Sequence, residues 1–186
     1  MLLAVSLALA ADVGAPAPDF TLSATDGTSF HLADLRGKVV VLEWFNPDCP
    51  FVVNAHGGGP LATLPASWTQ KGVVWLAVNS SAPGKQGNGK ERNEKARADW
   101  NLGYPVLLDE SGTVGKAYGA KTTPHLFVVD PAGTLAYAGA LDNAPLGKVD
   151  GGGAVVKYAD GAVGAVVGGM PVPTPTTQSY GCSVKY

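Results

Sequence analysis

The sequence predicts an α/β sandwich built on a central mixed β-sheet, and three observations predict it. The run Val39-Val40-Val41-Leu42-Glu43-Trp44-Phe45 is β-branched and apolar, bounded by Gly37 behind and Asn46-Pro47-Asp48 ahead, which is the pattern of a strand buried on both faces. Further apolar runs then alternate with helical stretches, as a parallel sheet covered by crossover helices requires. Beyond them the turn Pro131-Ala132-Gly133 joins two strand-like runs into an antiparallel hairpin, so the sheet is mixed. With 186 residues, 46% of them hydrophobic, the chain can bury one sizeable core, and one domain is the natural count.

Taken in order, residues 1–11 (MLLAVSLALAA) are apolar and end in Ala8-Leu9-Ala10, a small-x-small pattern that fits a secretory signal cleaved near Ala10-Ala11. At about 11 apolar residues the stretch is too short to span a bilayer core of ~30 Å, and no other segment is long and apolar enough for stable membrane insertion. As a signal it would place the mature chain in a periplasmic or secreted, oxidising compartment, whereas the bland reading makes it an apolar N-terminal strand or helix. A folded domain is expected over 12–169. It opens with a hairpin, Ala17 to Leu22 and Ser29 to Leu32, about the turn Asp26-Gly27.

The central strand ends at Asn-Pro-Asp and delivers Cys49 to a helix that starts at Pro50, where proline's preset φ and missing amide fit the first helical position. That helix is interrupted by Gly57-Gly58-Gly59-Pro60 and resumes from Leu61 to Gln70. Val73 to Val78 is a second buried strand. Ser80 to Gly89 reads as a polar loop, Lys90 to Trp100 as a charged, exposed helix, and Pro105 to Leu108 as a strand. A turn at Asp109 to Gly112, whose acids read as surface charges, leads to a short helix ending at Tyr118. His125 to Asp130 and Thr134 to Ala138 form the hairpin, and a glycine-studded helix over roughly Ala154 to Val167 closes the domain. The tail, 170–186, is Pro/Thr-rich and reads as an extended, flexible segment carrying Cys182.

A formal charge of −2 and the absence of any Lys/Arg cluster leave no electrostatic footprint for nucleic acid, so partners should be small molecules or proteins. Gly57-Gly58-Gly59 is not a phosphate loop, because no Lys-Ser/Thr follows it.

The chemistry concentrates at Cys49. At a helix start the free amides and the positive end of the helix dipole favour a thiolate, which lowers the thiol pKa and makes the sulfur nucleophilic. Glu43 sits in an otherwise apolar strand; burial there penalises its charged form and would fit it to proton exchange near neutral pH, whereas a wet edge or a lysine partner would make it merely structural. Cys182 lies 133 positions after Cys49. A flexible tail can return a thiol over that separation at modest entropic cost, so Cys182 could resolve an oxidised Cys49, staple tail to core at about 4 to 5 kcal/mol, or stay free. His56, seven positions after Cys49, and His125 could join the two cysteines in a soft-metal site of copper type, but the Cys-x-x-x-Cys of thioredoxin-fold copper chaperones is absent, since position 53 is Val53. No metal and no cofactor is therefore assigned.

Between Ala17 and Asp142 the chain resembles the thioredoxin-like redoxins. The pieces are Ala17-Pro18-Asp19-Phe20 with Asp26-Gly27, Leu35-Arg36-Gly37-Lys38, Asn46-Pro47-Asp48-Cys49-Pro50, and Thr123-Pro124. It is similar to the secreted bacterial AhpC/TSA, peroxiredoxin-related kind, whose members end in a Gly-Cys-x-x-Lys-aromatic tail, here Gly181 to Tyr186. The resemblance implies a thioredoxin-like three-layer sandwich with an N-terminal β-hairpin, with Cys49 as nucleophile and Glu43, six residues earlier, as buried proton acceptor. It also implies that Thr123-Pro124 is a cis-proline pair that packs against the cysteine and leaves the preceding backbone free for a bound peptide. The chain departs from the family at three points. Val52 stands where the second cysteine of Cys-x-x-Cys belongs, Asn46 replaces the threonine of peroxiredoxins, and no arginine is evidently placed to polarise a peroxide.

Two functions follow. One is a thiol-dependent oxidoreductase in which Cys49 attacks a disulfide or peroxide substrate and Cys182 resolves the product, regenerated by a thiol electron-donor protein. The other is a non-catalytic redoxin-fold binding module with a structural Cys49-Cys182 disulfide or a copper-type site.

Overall fold

The computed structural model describes residues 11–186, so the expected signal over 1–11 lies almost wholly outside the described residues. A seven-stranded mixed sheet forms the middle layer. Its strands are β1 (Thr21–Ala24), β2 (Ser29–His31), β3 (Val40–Trp44), β4 (Val74–Asn79), β5 (Val106–Leu108), β7 (His125–Val129) and β8 (Leu135–Gly139), in the order β2-β1-β5-β4-β3-β7-β8. β3 runs parallel to β4, and β4 to β5; β7 and β8 add antiparallel on one side, and the β1–β2 hairpin adds antiparallel to β5 on the other. The short β6 (Thr122–Thr123) pairs separately with β9 (Cys182–Ser183).

β3 is paired on both sides, and all five of its residues are buried, Glu43 included, as a run that is otherwise apolar demands. Its alternate residues feed two cores. Val39, Val41 and Phe45 pack with α1 (Pro50–His56), α2 (Leu64–Thr69), α3 (Lys90–Asp99) and α5 (Tyr158–Val167) through Val52, Trp68, Ala96 and Val163. Val40, Leu42 and Trp44 pack against Phe20, Leu32 and α4 (Thr113–Tyr118) on the opposite face. The sandwich is thus three-layered and thioredoxin-like, with the expected hairpins. Among the described residues no helix is long and apolar enough to cross a membrane.

Three local expectations need correction. Asp109 is not a surface charge: it is 2% exposed, accepts from Ser80 Oγ at 2.7 Å, and takes the free amide of Gly115 at the start of α4. The Ser80–Gly89 loop and α3 are less solvated than their composition suggests, because Asn79 and Asn93 are buried and bond each other and the Gly87 carbonyl. The tail is extended but not free. Thr177 bonds Ala138 of β8 and Ala140 just past it, and residues 182–186 run along the β6 region.

Candidate active site

Cys49 is the N-cap residue of α1 and Pro50 its first helical residue, as the sequence dictates. The turn before it is held rigidly. Asn46 Oδ1 accepts from the Asp48 amide at 2.9 Å, and Arg92 of α3 bonds Asp48 Oδ1 through Nε at 2.8 Å and the Pro47 carbonyl at 2.9 Å. An added Cβ on Gly87 would fall 2.1 Å from Asn46 Oδ1, so the Gly-rich loop is glycine there because it closes on the turn. Arg92 was not legible from the sequence, where it reads as one charge among many on a solvated helix. Among its hydrogen bonds none reaches a thiol.

The Cys49 side chain is fully buried. As a thiol it donates to the Thr123 carbonyl at 3.0 Å, and the Thr123–Pro124 peptide bond that follows is cis. The tail closes over this point. Cys182 stands in register opposite Thr123, and Gly181 lies so near that a Cβ on it would fall 2.1 Å from the same Thr123 oxygen. The Gly-Cys of the tail is therefore a close-approach pair: only glycine lets the next residue's sulfur meet Cys49.

Burial alone would push the Cys49 thiol up, but the neighbouring Cys182 thiol, with Thr123 and the Val52 and Cys182 amides, overcomes it and holds the pKa below that of an ordinary thiol. Burial, donation to Cys49 and the charge on Cys49 push Cys182 up to about 11. The two sulfurs titrate as a pair in which the first proton leaves Cys49 and the second stays on Cys182. Both cysteines are free thiols here.

Glu43 lies in β3, fully buried, on the face that packs α1. It has neither the wet edge nor the lysine partner weighed from the sequence. Oε1 meets His56 Nε2 at 2.7 Å, and Oε2 accepts from Trp75 Nε1 at 3.0 Å and Tyr104 Oη at 3.4 Å. Burial and the Glu43 carboxyl push the Tyr104 phenol far up, so it remains a donor. His56 stacks on Trp100 with ring centroids 5.0 Å apart. It faces Glu43, and among the described residues no group of three or more His, Cys, Asp or Glu is placed to hold a metal. None of the hydrogen bonds of Glu43 goes to either cysteine. The partners of Glu43 come from β4, α1 and the segment before β5, which no local motif announces.

His125 follows Pro124, is 7% exposed, and accepts the Lys121 amide at Nδ1. Burial, aided by the charge of Lys121, lowers its pKa to about 4, so it is a neutral imidazole beside the site.

The AhpC/TSA family model matches residues 13–138. The thiol-disulfide oxidoreductase ResA of Geobacillus thermodenitrificans is 31% identical over 130 residues, 66% of each chain, so the chain spans about two thirds of the length of that curated relative. The crystal structure of a hypothetical protein from Sinorhizobium meliloti superposes with a TM-score of 0.81 at 30% identity, covering 96% of both chains. That of an uncharacterized conserved protein from Geobacillus kaustophilus superposes with a TM-score of 0.83 at 30% identity, covering 94% of this chain and 92% of the other.

Proposed function

The chain belongs to the AhpC/TSA family, and from that premise we propose that it is a thiol-disulfide oxidoreductase whose two working thiols are Cys49 and Cys182. The observation that carries the reading is that the tail sets Cys182 in register opposite Thr123, whose carbonyl accepts from the helix-capping Cys49, and that the Cys49 pKa is lowered there. Likeness to a relative named as a thiol-disulfide oxidoreductase supports a disulfide substrate over a peroxide. Peroxide reduction has less support, because the arginine at the turn is engaged by Asp48 and Pro47.

In the proposed cycle the Cys49 thiolate attacks one sulfur of a partner disulfide, forming a mixed disulfide and releasing the partner's other sulfur as a thiolate. Cys182 then loses its proton and attacks the Cys49 sulfur. The Cys49–Cys182 disulfide forms as the second partner thiolate leaves, so the partner gains two electrons that this chain loses, and the two thiol protons end on the partner. A thiol electron-donor protein reverses the sequence. Thr123 and Pro124 shape the site: the Thr123 carbonyl orients the Cys49 thiol and its backbone aligns Cys182. Glu43 stands in the proposal as the buried acid behind the site, its proton-accepting role being the part that substitution decides. The apolar stretch 1–11 supports action in a periplasmic or secreted setting, where the pair can cycle as a disulfide.

Turnover of a small disulfide by the reduced protein, with a non-reducing peptide map of the product, tests the proposal. A Cys49–Cys182 cross-link after one turnover and background activity in Cys49→Ser are expected. A Cys49 unreactive below pH 8 after full reduction overturns the proposal in favour of a non-catalytic module.

A further inference from the structure

The proposed cycle requires the Cys182 thiol to be on the Cys49 sulfur when the mixed disulfide forms, yet the strand pairing that brings it there is only two residues deep on each side. Two short strands without further support are marginal in water. The support comes from the residues that follow. Val184 donates its amide to the Lys121 carbonyl at 3.0 Å, and the Lys185 carbonyl accepts from the Ala82 amide at 2.8 Å. Tyr186 then enters a socket on α4, where its hydroxyl donates to the Ala120 carbonyl at 2.8 Å and its ring lies 5.4 Å beneath Lys116 Nζ.

The socket exists because two of its walls lack side chains. A Cβ on Gly112 would lie 2.5 Å from the Tyr186 ring, and one on Gly115 would lie 2.5 Å from its hydroxyl. Gly115 has a φ that any residue tolerates, so its lack of a side chain is explained by closeness, to Ser80 as well as to Tyr186, and not by backbone conformation. Tyr180, on the other side of Cys182, is also anchored, through Asp142 at 2.7 Å, but its ring lies against Phe51 beside Cys49 and so belongs to the site itself. Tyr186 touches neither thiol.

We propose that Tyr186 is a positioning residue for thiol exchange, a latch whose seating between Gly112 and Gly115 holds Cys182 on Cys49 and covers the nucleophile. The inference rests on the proposed pairing of the two thiols. While the latch is seated, Cys49 is fully buried on the Thr123 carbonyl opposite Cys182, and the thiol and amide of Cys182 are among the donors that hold its pKa down. Release uncovers the sulfur for a partner and at the same moment withdraws those donors, so accessibility and thiolate stability move in opposite senses. A tail that merely adds fold stability produces no such opposition.

The test uses the full chain with Tyr186→Phe, Tyr186→Ala and Gly115→Ala. The Cys49–Cys182 disulfide is equilibrated against glutathione, and Cys49 alkylation is followed against pH. Loss of the hydroxyl bond alone should lower the effective concentration of Cys182 about threefold. Removing the ring should lower it about thirtyfold, with Gly115→Ala moving in the same direction while leaving the tyrosine chemically intact. In Tyr186→Ala the limiting alkylation rate should rise while its pH midpoint also rises. An unchanged disulfide equilibrium and an unchanged midpoint in Tyr186→Ala overturn the proposal. Should Gly115→Ala fail to fold, the graded Phe and Ala series still decides. If the parent protein forms no disulfide at any glutathione ratio, the resolving role of Cys182 fails, and the alkylation profile of Tyr186→Ala alone supports or overturns the latch.

Discussion

The strand β3 leads to two buried polar centres, and they are satisfied in opposite ways. Glu43, inside the strand, is surrounded by donors on elements fixed in the core: His56 on α1, Trp75 on β4 and Tyr104 just before β5. Cys49, past the strand's end, depends on one fixed acceptor, the Thr123 carbonyl, and on donors from Val52 and from a tail held by a two-residue strand pair. A buried group with a complete rigid shell stabilises one arrangement. A buried thiol whose cover is carried by a peripheral segment has a second arrangement within reach, and the proposed exchange chemistry needs that second state.

The largest effect expected from breaking this comparison is at the tail. In Cys182→Ser the nucleophile remains but nothing resolves it, so the mixed disulfide should accumulate after one turnover and steady cycling should fall to background, read by mass spectrometry of the quenched reaction. Multi-turnover rates equal to the parent's would exclude the resolving role. The fold should hardly change, because Cys182 is only half-buried and serine keeps a donor.

Glu43→Gln probes the other centre, and the expected loss is in stability. The amide cannot accept from His56, Trp75 and Tyr104 together, and a buried donor without a partner is costly. We expect about 3 kcal/mol, measured by urea unfolding. Turnover per folded molecule separates the two roles of the residue. If it is unchanged at every pH, Glu43 is not the proton acceptor and serves only to lock α1 onto the sheet; a fall confined to low pH supports proton transfer.

The same contrast explains how much was legible in the sequence. The succession of strands and helices, the hairpins and Cys49 at a helix start come from local signals: a β-branched run, Asp-Gly and Pro-Ala-Gly turns, and proline at the first helical position. Glu43 was visible only as an anomaly in an apolar strand, because its partners are 13, 32 and 61 residues away. Asp109 misled for the same reason, since its hydrogen bond to Ser80 is made across the fold. The tail was underestimated most. Its Pro/Thr composition reads as a solvated chain, and the seating of Tyr186 between two glycines of another element has no periodicity to betray it. Cys182 was nameable by chemistry, but its place opposite Thr123 is a tertiary fact.

The smallest effect is expected at His125, which lies beside the thiols yet is satisfied like Glu43, by the fixed Lys121 amide. Accepting at Nδ1 requires the neutral ring, and burial lowers the pKa to about 4 from an ordinary 6.5. A histidine held neutral in the fold contributes stability that is fully present above pH 6.5 and is lost as the pH falls from 6.5 through about 4, where the folded ring too takes its proton. The loss over that window is ~3 kcal/mol. His31 works the other way, because its hydrogen bond to Asp19 raises its pKa, so the effect is best read as a difference between variants. In His125→Gln, which can still accept the Lys121 amide and does not titrate, urea stability between pH 6.5 and 4 should be flatter than in the parent. A parent and variant that lose stability in parallel would place His125 with the movable centre, its ring reaching water whenever the tail lifts from β6.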